Sequence, residues 1–383
     1  MRTIFLIISL FYAVRSIGQD SIGPKQKWFI NGYIKNLESL SFDKNFRNNI
    51  SDNLIHNRIN IKWKPSDNFI ITAEFRNRLF WGETVKTTPD LAEQLHNKDE
   101  MFDLGIFWIQ NTSLLCITNT ERLNIEYRQK RWNLKLGRQR INWGITTTWN
   151  PNDIFNTYNF LDFDYEERPG VDGARGQYVF NNSCNAEIAW SSTGKKDENK
   201  GAVKFNLNKR GYDIQLIAGW YKTRPTLGVG WAGNIKDAGF KGEVQYIARV
   251  KDSADHINGT LEGSYMFKKG WYLSGGMLYN KTGLIEPIGN WKATDLNISP
   301  ENLMPTRWNL ILTTNKEITP LVSVNVSSIY APGTNLMILL PTLKYNLAAN
   351  LDVDLVWQSF FTEIDSQFEA VNHRAFLRMK WSF

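Results

Sequence analysis

The chain ends on an alternating segment, in which residues 372–383 read NHRAFLRMKWSF. From Ala375 onward every second residue is apolar. The intervening positions are mostly polar or basic: Arg374, Phe376, Arg378, Lys380 and Ser382. A strand of this kind has one apolar and one polar face, which suits a wall between lipid and water. The segment therefore predicts a strand of a transmembrane β-barrel.

The same period-2 alternation recurs from residue 28 onward in runs of about ten residues, the length of a membrane-spanning strand. It predicts an all-β chain that forms a single antiparallel up-and-down barrel of about 18 strands, within a range of about 16 to 20. We expect residues 372–383 to pair with residues 28–37, because closure removes the unpaired edges that lipid cannot satisfy. The predicted strands are 28–37, 54–64, 69–80, 121–130, 132–143, 174–181, 184–191, 200–208, 211–222, 227–235, 239–250, 257–268, 271–281, 306–315, 320–330, 335–346, 349–361 and 372–383.

The predicted connections alternate between short and long. The short ones are turns of a few residues, such as 65–68, 130–131 and 268–270. The long ones are 38–53, 81–120, 144–173, 192–199, 251–256, 282–305 and 362–371. Outer-membrane barrels have tight periplasmic turns and longer outer loops. With an even number of strands, this pattern places both termini on the periplasmic side.

The N-terminal residues have the composition of a signal peptide. A basic residue, Arg2, precedes an apolar run, and Ser16 and Gly18 supply small residues before a predicted cleavage site. We expect residues 1–18 to be the signal peptide and residues 19–383 the barrel, in the outer membrane of a Gram-negative bacterium. The 15 Trp, 14 Tyr and 22 Phe suit a barrel with aromatic girdles at both interfaces.

Several function classes find no support in the sequence. The net charge of +7 is scattered rather than clustered, so we expect no nucleic-acid partner. The two cysteines, Cys116 and Cys184, have no zinc-site spacing, and we expect no metal and no cofactor. The four histidines are far apart and no Gly-x-Ser-x-Gly motif occurs, so we expect no enzymatic activity.

One segment is unusually rich in motifs. Residues 137–144 read GRQRINWG, and Asn150-Pro-Asn-Asp153 follows. A strand that ends in Gly-Arg-Gln-x-Ile-x-Trp-Gly before a loop with Asn-Pro-x-Asp resembles the porin-like β-barrel families of Gram-negative outer membranes, including alginate-export and other substrate-selective porins. The resemblance covers about 40 residues, from 136 to 175, and implies a porin-like channel.

The apolar positions change parity within this strand. Trp132, Leu134 and Leu136 share one parity, whereas Ile141 and Trp143 share the other. One extra residue in a strand reverses the facing of all later residues, so we predict a β-bulge at Gly137. The bulge would turn the next basic side chains, Arg138 and Arg140, into the lumen. Without it both would face lipid, at a cost of about 2–4 kcal/mol each near the midplane.

The loop after this strand is rich in aromatic and acidic residues. We predict that this loop folds into the barrel and forms the narrowest point of the lumen, with the acidic residues of the loop opposite Arg138 and Arg140. The alternative is an outer lid that packs on neighbouring loops and never constricts the lumen. The predicted constriction residues are Arg138, Arg140, Asp153, Asp162, Asp164 and Arg168.

The inward faces of the predicted strands carry more Lys and Arg than Asp and Glu. Rings of basic side chains favour anions, so the lumen is predicted to prefer anions. The alternative is a neutralised lumen in which Arg–Glu pairs only stabilise the wall. The predicted lumen-lining residues are Arg58, Arg76, Arg78, Glu126, Arg128, Asp354 and Arg378.

The sequence thus favours an outer-membrane channel for passive diffusion of small hydrophilic solutes, among which anionic or saccharide solutes fit best. The alternative is a non-conducting barrel plugged by loops 81–120 and 144–173, which acts as a surface receptor, an adhesin or a subunit of a complex. The expected partners are outer-membrane lipid and lipopolysaccharide, the solutes, the barrel-assembly machinery and, as one option, further copies of the chain.

Overall fold

A computed structural model describes residues 26–47, 49–95, 100–157, 169–250, 253–287, 298–364 and 366–383. The predicted signal peptide, 1–18, lies outside these residues. Within them the chain is almost entirely β. The strands are β1 (Trp28–Phe42), β2 (Ile50–Trp63), β3 (Phe69–Gly82), β4 (Ile106–Gln110), β5 (Leu114–Gln129), β6 (Trp132–Gln139), β7 (Val171–Asn181), β8 (Cys184–Ser192), β9 (Lys200–Lys209), β10 (Tyr212–Tyr221), β11 (Arg224–Ile235), β12 (Ala238–Ile247), β13 (His256–Met266), β14 (Trp271–Asn280), β15 (Trp308–Thr319), β16 (Val322–Ala331), β17 (Leu336–Ala348), β18 (Leu351–Ile364) and β19 (Gln367–Ser382).

The strands form one closed antiparallel barrel of 18 strands, as the alternation predicts. Each wall strand pairs with its neighbours in sequence, and β1 pairs with β19 to close the wall. In this seam Tyr33 lies opposite Ser382 and Phe42 lies opposite His373. The predicted pairing of residues 28–37 with 372–383 is confirmed. Every one of the 18 predicted segments overlaps a wall strand.

The two faces of the wall differ as the alternation requires. Apolar side chains of one parity, among them Leu216, Leu377 and Met379, are about half exposed on the outside of the barrel. Charged side chains of the other parity, among them Arg58 and Asp354, are buried on the inside. Side chains of successive residues point to opposite faces of a strand, so this contrast fixes which parity faces the lumen.

The ends of the barrel have connections of different length. At the short-turn end, the wall strands are joined by segments 65–68, 130–131, 182–183, 210–211, 236–237, 267–270, 320–321 and 349–350. At the other, long-loop end, several connections are long, although 222–223 and 332–335 are tight turns. Strands β18 and β19 extend through most of the predicted loop 362–371. That predicted loop is therefore wrong.

The long connection 83–113 contains the elements that the periodicity did not predict. Two short helices, α1 (Glu83–Thr87) and α2 (Leu91–Gln94), precede β4. Strand β4 pairs with β5 at the long-loop end, beyond the point where β6 stops. It continues the wall next to β5. Among the described residues, no helix is long and apolar enough to cross a membrane.

The predicted bulge at Gly137 is wrong. The register of β6 against both β5 and β7 is continuous through Gly137. The change in parity has another cause, since β6 ends at Gln139 and the following residues leave the wall. The wall does contain an irregularity nearby, where β3 residues Glu74 and Phe75 pair with Arg122 and Thr120 of β5. Glu121 is the extra residue.

Candidate functional site

The inner loop, residues 140–157, lies inside the barrel. It contacts side chains that point into the lumen, namely Glu187 of β8, Gln215 of β10, Glu243 of β12 and Glu262 of β13. Their neighbours in sequence, such as Ile188 and Leu216, are exposed on the outer face. The described part of the predicted loop 144–173 therefore folds inward and is not an outer lid.

The base of the inner loop is held closed by two side chains from its return segment. Asn156 Oδ1 accepts a hydrogen bond from the amide of Ile141 at 2.7 Å, and Asp153 Oδ1 accepts one from the amide of Trp143 at 3.2 Å. The indole of Trp143 packs edge-on against the ring of Phe155, with ring centroids 5.0 Å apart. These rings belong to a buried cluster that includes residues of β7 to β10 and of β12.

The tip of the inner loop is bound by two carboxylates of the wall. Glu243 accepts hydrogen bonds from the amides of Ile145 and Thr146 and from Thr146 Oγ1. On the next strand, Glu262 accepts from the amide of Thr147 at 2.7 Å and from Thr147 Oγ1 at 2.6 Å. Trp149 then packs into a second buried cluster with inward residues of β14 and β16 to β18. The loop thus lies along the inner wall from β7 to β18.

Two glycines of β11 make room for the loop. A Cβ atom at Gly228 would lie 2.5 Å from Asn152 Oδ1, and one at Gly230 would lie 2.7 Å from Ile145 Cδ1. Because there is no side chain at either position, the Asn152 amide group reaches the carbonyl of Val229 at 3.0 Å. The sequence shows these glycines, but it does not show what packs against them.

The opposite part of the wall, β18–β19 and β1–β6, carries the predicted lumen-lining residues. Most of them form ion pairs between neighbouring strands, and Glu126 also pairs with Arg128 within β5. Arg58 pairs with Glu74, Arg76 with Glu121 at 2.7 Å, Arg378 with Asp354 at 2.7 Å, and Glu126 with Arg128 and Lys135 at 2.5 and 3.2 Å. Arg78 donates a hydrogen bond to Asn119 Oδ1 at 2.9 Å. Hydrogen-bonded pairs of this kind join the strands, and the Arg128 side chain is more than half exposed.

Arg138 is buried at the end of β6, where it pairs with one acid from the end of the predicted loop 144–173 and one from the segment before β4. Its guanidinium group pairs with Asp172 at 2.8 Å and with Glu100 at 2.8 Å, and it donates to the carbonyls of Thr120 and Phe102. These partners belong to β5, β7 and the segment before β4. Arg138 therefore joins four segments where β6 ends, and it is almost completely buried.

The other predicted constriction residues have different positions. Arg140 is exposed, next to the buried Ile141, and it makes no ion pair in the described parts of the chain. Asp153 is buried in the base of the inner loop, where it bonds to Trp143. The remaining candidates, Asp162, Asp164 and Arg168, lie outside the described residues. Among the described candidates, the structure leaves Arg140 as the one that faces water.

A second segment, residues 298–307, also lines the inside of the barrel near the long-loop end. Asn258 and Asn280 donate side-chain hydrogen bonds to the carbonyls of Pro300 and Met304, at 2.8 and 2.6 Å. Arg224 forms an ion pair with Glu301. The sequence predicts a long loop here but no contact with the wall. The adjacent apolar residues Leu303 and Met304, both buried, are the signal that could have indicated burial.

A small recess with a cavity volume of about 70 Å³ lies between the inner loop and β13 to β15. Its polar lining is mostly hydroxyl groups, from Thr147, Thr260, Tyr272, Ser274 and Thr313, together with the Glu262 carboxylate that binds Thr147. Hydroxyl groups both donate and accept hydrogen bonds, so this surface suits neutral polar groups of a solute. No group of three or more metal-ligating side chains occurs in the part of the chain that the structure describes.

Comparison with solved structures gives the same fold. The chain superimposes on OccK5 (OpdH) of Pseudomonas aeruginosa with a TM-score of 0.59 and 7% identity, covering 93% of this chain and 98% of that chain. It is also similar to OccK11 (OpdR) of the same organism, with a TM-score of 0.58, 9% identity, and coverage of 93% and 96%.

OccAB4 of Acinetobacter baumannii gives a TM-score of 0.57 at 9% identity, covering 94% of this chain and 100% of that chain. These neighbours are substrate-specific outer-membrane porins of the Occ/Opd group. No family model and no curated protein matches the sequence. At this low identity, the likeness establishes the shared porin-type barrel fold.

Proposed function

We propose that this protein is an outer-membrane channel for passive diffusion of small hydrophilic solutes. The observation that carries the proposal is the position of the inner loop inside a closed barrel. The described part of the loop is bound to the wall from β7 to β18, so on this proposal solutes pass on the opposite side of the lumen, beside β19 and β1–β6 (here called the basic wall). The similarity in fold to Occ/Opd porins is consistent with this function. On this proposal, the short-turn end and both termini are periplasmic.

The charges that face water in the lumen support a preference for anions. Three inward carboxylates, Glu187, Glu243 and Glu262, are buried against the inner loop and are not available to a passing ion. On the basic wall and the loop, Arg128, Arg140 and Arg374 are exposed. Basic side chains along a pore favour anions. These exposed arginines are the groups that would favour anions, although the inward face also carries an exposed acid, Asp213.

The hydroxyl-rich recess supports a saccharide as part of the substrate class. A solute with a carboxylate and several hydroxyl groups could contact the exposed arginines and the recess together. We therefore favour anionic saccharides over apolar or cationic solutes.

The test is single-channel recording of the purified protein in planar lipid bilayers. We expect stepwise conductance, a reversal potential under a salt gradient that indicates anion preference, and concentration-dependent block by uronate oligosaccharides. Neutral maltooligosaccharides of equal length are the matched control, and we expect them to block less. Steps without anion preference would refute the selectivity but keep the channel. Absence of conductance from folded protein would favour the alternative, a plugged barrel that acts as a receptor, adhesin or subunit.

A further inference from the structure

We infer that Glu243 is the positioning residue of the pore: its carboxylate fixes the tip of the inner loop and thereby sets the open cross-section. This inference rests on the proposed function. Glu243 lies on β12, on the lumen face, and is completely buried. Among the described residues, it forms no hydrogen bond with a predicted site residue, and it is not itself one of the predicted site residues.

The carboxylate is surrounded by donors from one short stretch of the loop. Oε1 accepts from the amides of Ile145 and Thr146 at 2.5 and 2.7 Å, and from Thr146 Oγ1 at 2.9 Å. Oε2 accepts from the amide of Asn152 at 2.9 Å. The two oxygens therefore bind both sides of the tip. Hydrogen bonds to an ionised acceptor are shorter and stronger than those between neutral groups.

No basic side chain forms an ion pair with Glu243 in the described parts of the chain. The carboxyl oxygens are instead bound by backbone amides and a hydroxyl group of the loop. An arrangement of successive amides around an anion is a known binding concavity for anions in proteins. The loop thus carries an anion-binding nest, and the wall supplies the anion that fills it.

The wall beside Glu243 is shaped for the same contact. Gly230 lies directly opposite Glu243 in the β11–β12 register. Any side chain at Gly230 would meet Ile145, and any side chain at Gly228 would meet Asn152. Positions 228 and 230 therefore carry no side chain at the place where the tip of the loop packs on the wall. The Glu243 carboxylate and these two glycines form one docking site for the tip.

The decisive variant is Glu243→Gly, which removes the carboxylate and leaves the nest empty. We expect about a twofold rise in single-channel conductance, or rapid fluctuation between levels, because the narrowest point controls passage. Added formate or acetate should refill the nest and restore wild-type conductance. Asp213→Asn is the matched control. It removes another inward carboxylate, which accepts a hydrogen bond from Asn208 and forms none with the loop in the described residues. It should behave as wild type.

A second measurement does not depend on conduction. Hydrogen exchange of the loop amides should become at least about tenfold faster in Glu243→Gly, and slow again with formate, because the amides lose their acceptor. This result would support the inference even if wild-type protein did not conduct. If Glu243→Gly fails to assemble, Thr146→Val tests the same contact from the loop side. Unchanged exchange and unchanged conductance in a folded variant would overturn the inference.

Discussion

Individual charged side chains in this barrel have two different roles. Some hold the wall together and are hidden from water, as Arg138 does with Asp172 and Glu100. Others are exposed to water, as Arg140 is. The two arginines are separated by only one residue, and the sequence predicts the same role for both. The structure separates them, and this separation can be tested one residue at a time.

Replacing Arg138 should affect stability rather than selectivity. Arg138→Ala leaves two carboxylates without their buried partner, and we expect it to lower the free energy of unfolding by about 3–5 kcal/mol. Chemical unfolding of the protein in detergent, followed by tryptophan fluorescence, measures this change. Arg138→Lys keeps the charge but loses the two-pronged geometry, so we expect its unfolding free energy to lie between those of wild type and Arg138→Ala. A large shift in reversal potential would show that Arg138 contacts the pore water after all.

Replacing Arg140 should have the opposite effect. We expect Arg140→Glu to move the reversal potential toward cation preference while leaving the unfolding free energy nearly unchanged, because the side chain is exposed. The shift should shrink in about 1 M salt, where the screening length falls to about 3 Å. Lys236→Glu, in an exposed turn at the short-turn end, is the control for a general change in charge. Equal shifts in both variants would argue against a specific role for Arg140.

The roles of these residues could be predicted from sequence only in part. The period-2 pattern depends only on residues that are neighbours in sequence. It therefore predicts the inward-facing residues Arg58, Arg76, Arg378 and Asp354. The partner of Arg138 could not be predicted, since Glu100 and Asp172 come from loops and strand ends distant in sequence. The acceptor role of Glu243 was also hidden. Its donors are mainly backbone amides, which every residue but proline carries, so they leave no sequence signal.

At the scale of elements, the inner loop is a separable unit. Its base is closed by the Asp153–Trp143 and Asn156–Ile141 contacts, so the two ends of the tip lie close together. The tip makes its own contacts with β12 and β13. The loop can therefore be shortened beyond its base without pulling the wall strands out of place.

Removing the tip should widen the pore. We expect that replacing residues 145–151 with two glycines raises single-channel conductance, because the segment that narrows the lumen is gone, while heat-modifiable gel migration shows an intact barrel. Trimming 194–197, an exposed stretch of another connection at the long-loop end, is the control and should leave conductance unchanged. A shortened loop with wild-type conductance would mean that the pore is controlled elsewhere.

The wall strands were predictable, whereas the elements around the long loops were not. Residues 114–117, Leu-Leu-Cys-Ile, do not alternate, because Leu115 and Ile117 are buried on one face while the other face is also apolar. The alternation therefore does not predict the start of β5. Strand β4 is only five residues long and follows two helices, too short for a periodic signal. The chain leaves the wall after Gln139, and a change of parity in the sequence alone does not distinguish the end of a strand from a bulge at Gly137.

For the molecule as a whole, the outer face predicts how the protein sits in a membrane. Leu216→Arg places a charge on the exposed face in the middle of β10, and we expect a loss of about 2–4 kcal/mol in unfolding free energy measured in lipid vesicles. Leu321→Arg, in a turn at the short-turn end, is the matched control and should cost about 0–1 kcal/mol. Similar losses at both positions would contradict the proposed membrane position of the wall.

The closing contact between β1 and β19 also constrains the order in which the protein can form. All other neighbouring wall strands are close in sequence, so their hairpins can assemble as the chain becomes available. The seam joins residues from opposite ends of the polypeptide, such as Tyr33 and Ser382. Contacts between distant residues carry the largest loop-closure cost and slow folding. We therefore expect the β1–β19 pairing to form last. Until it forms, the unpaired edges of β1 and β19 can associate with other chains. A protein that covers those two edges would therefore have its largest effect on folding at this step.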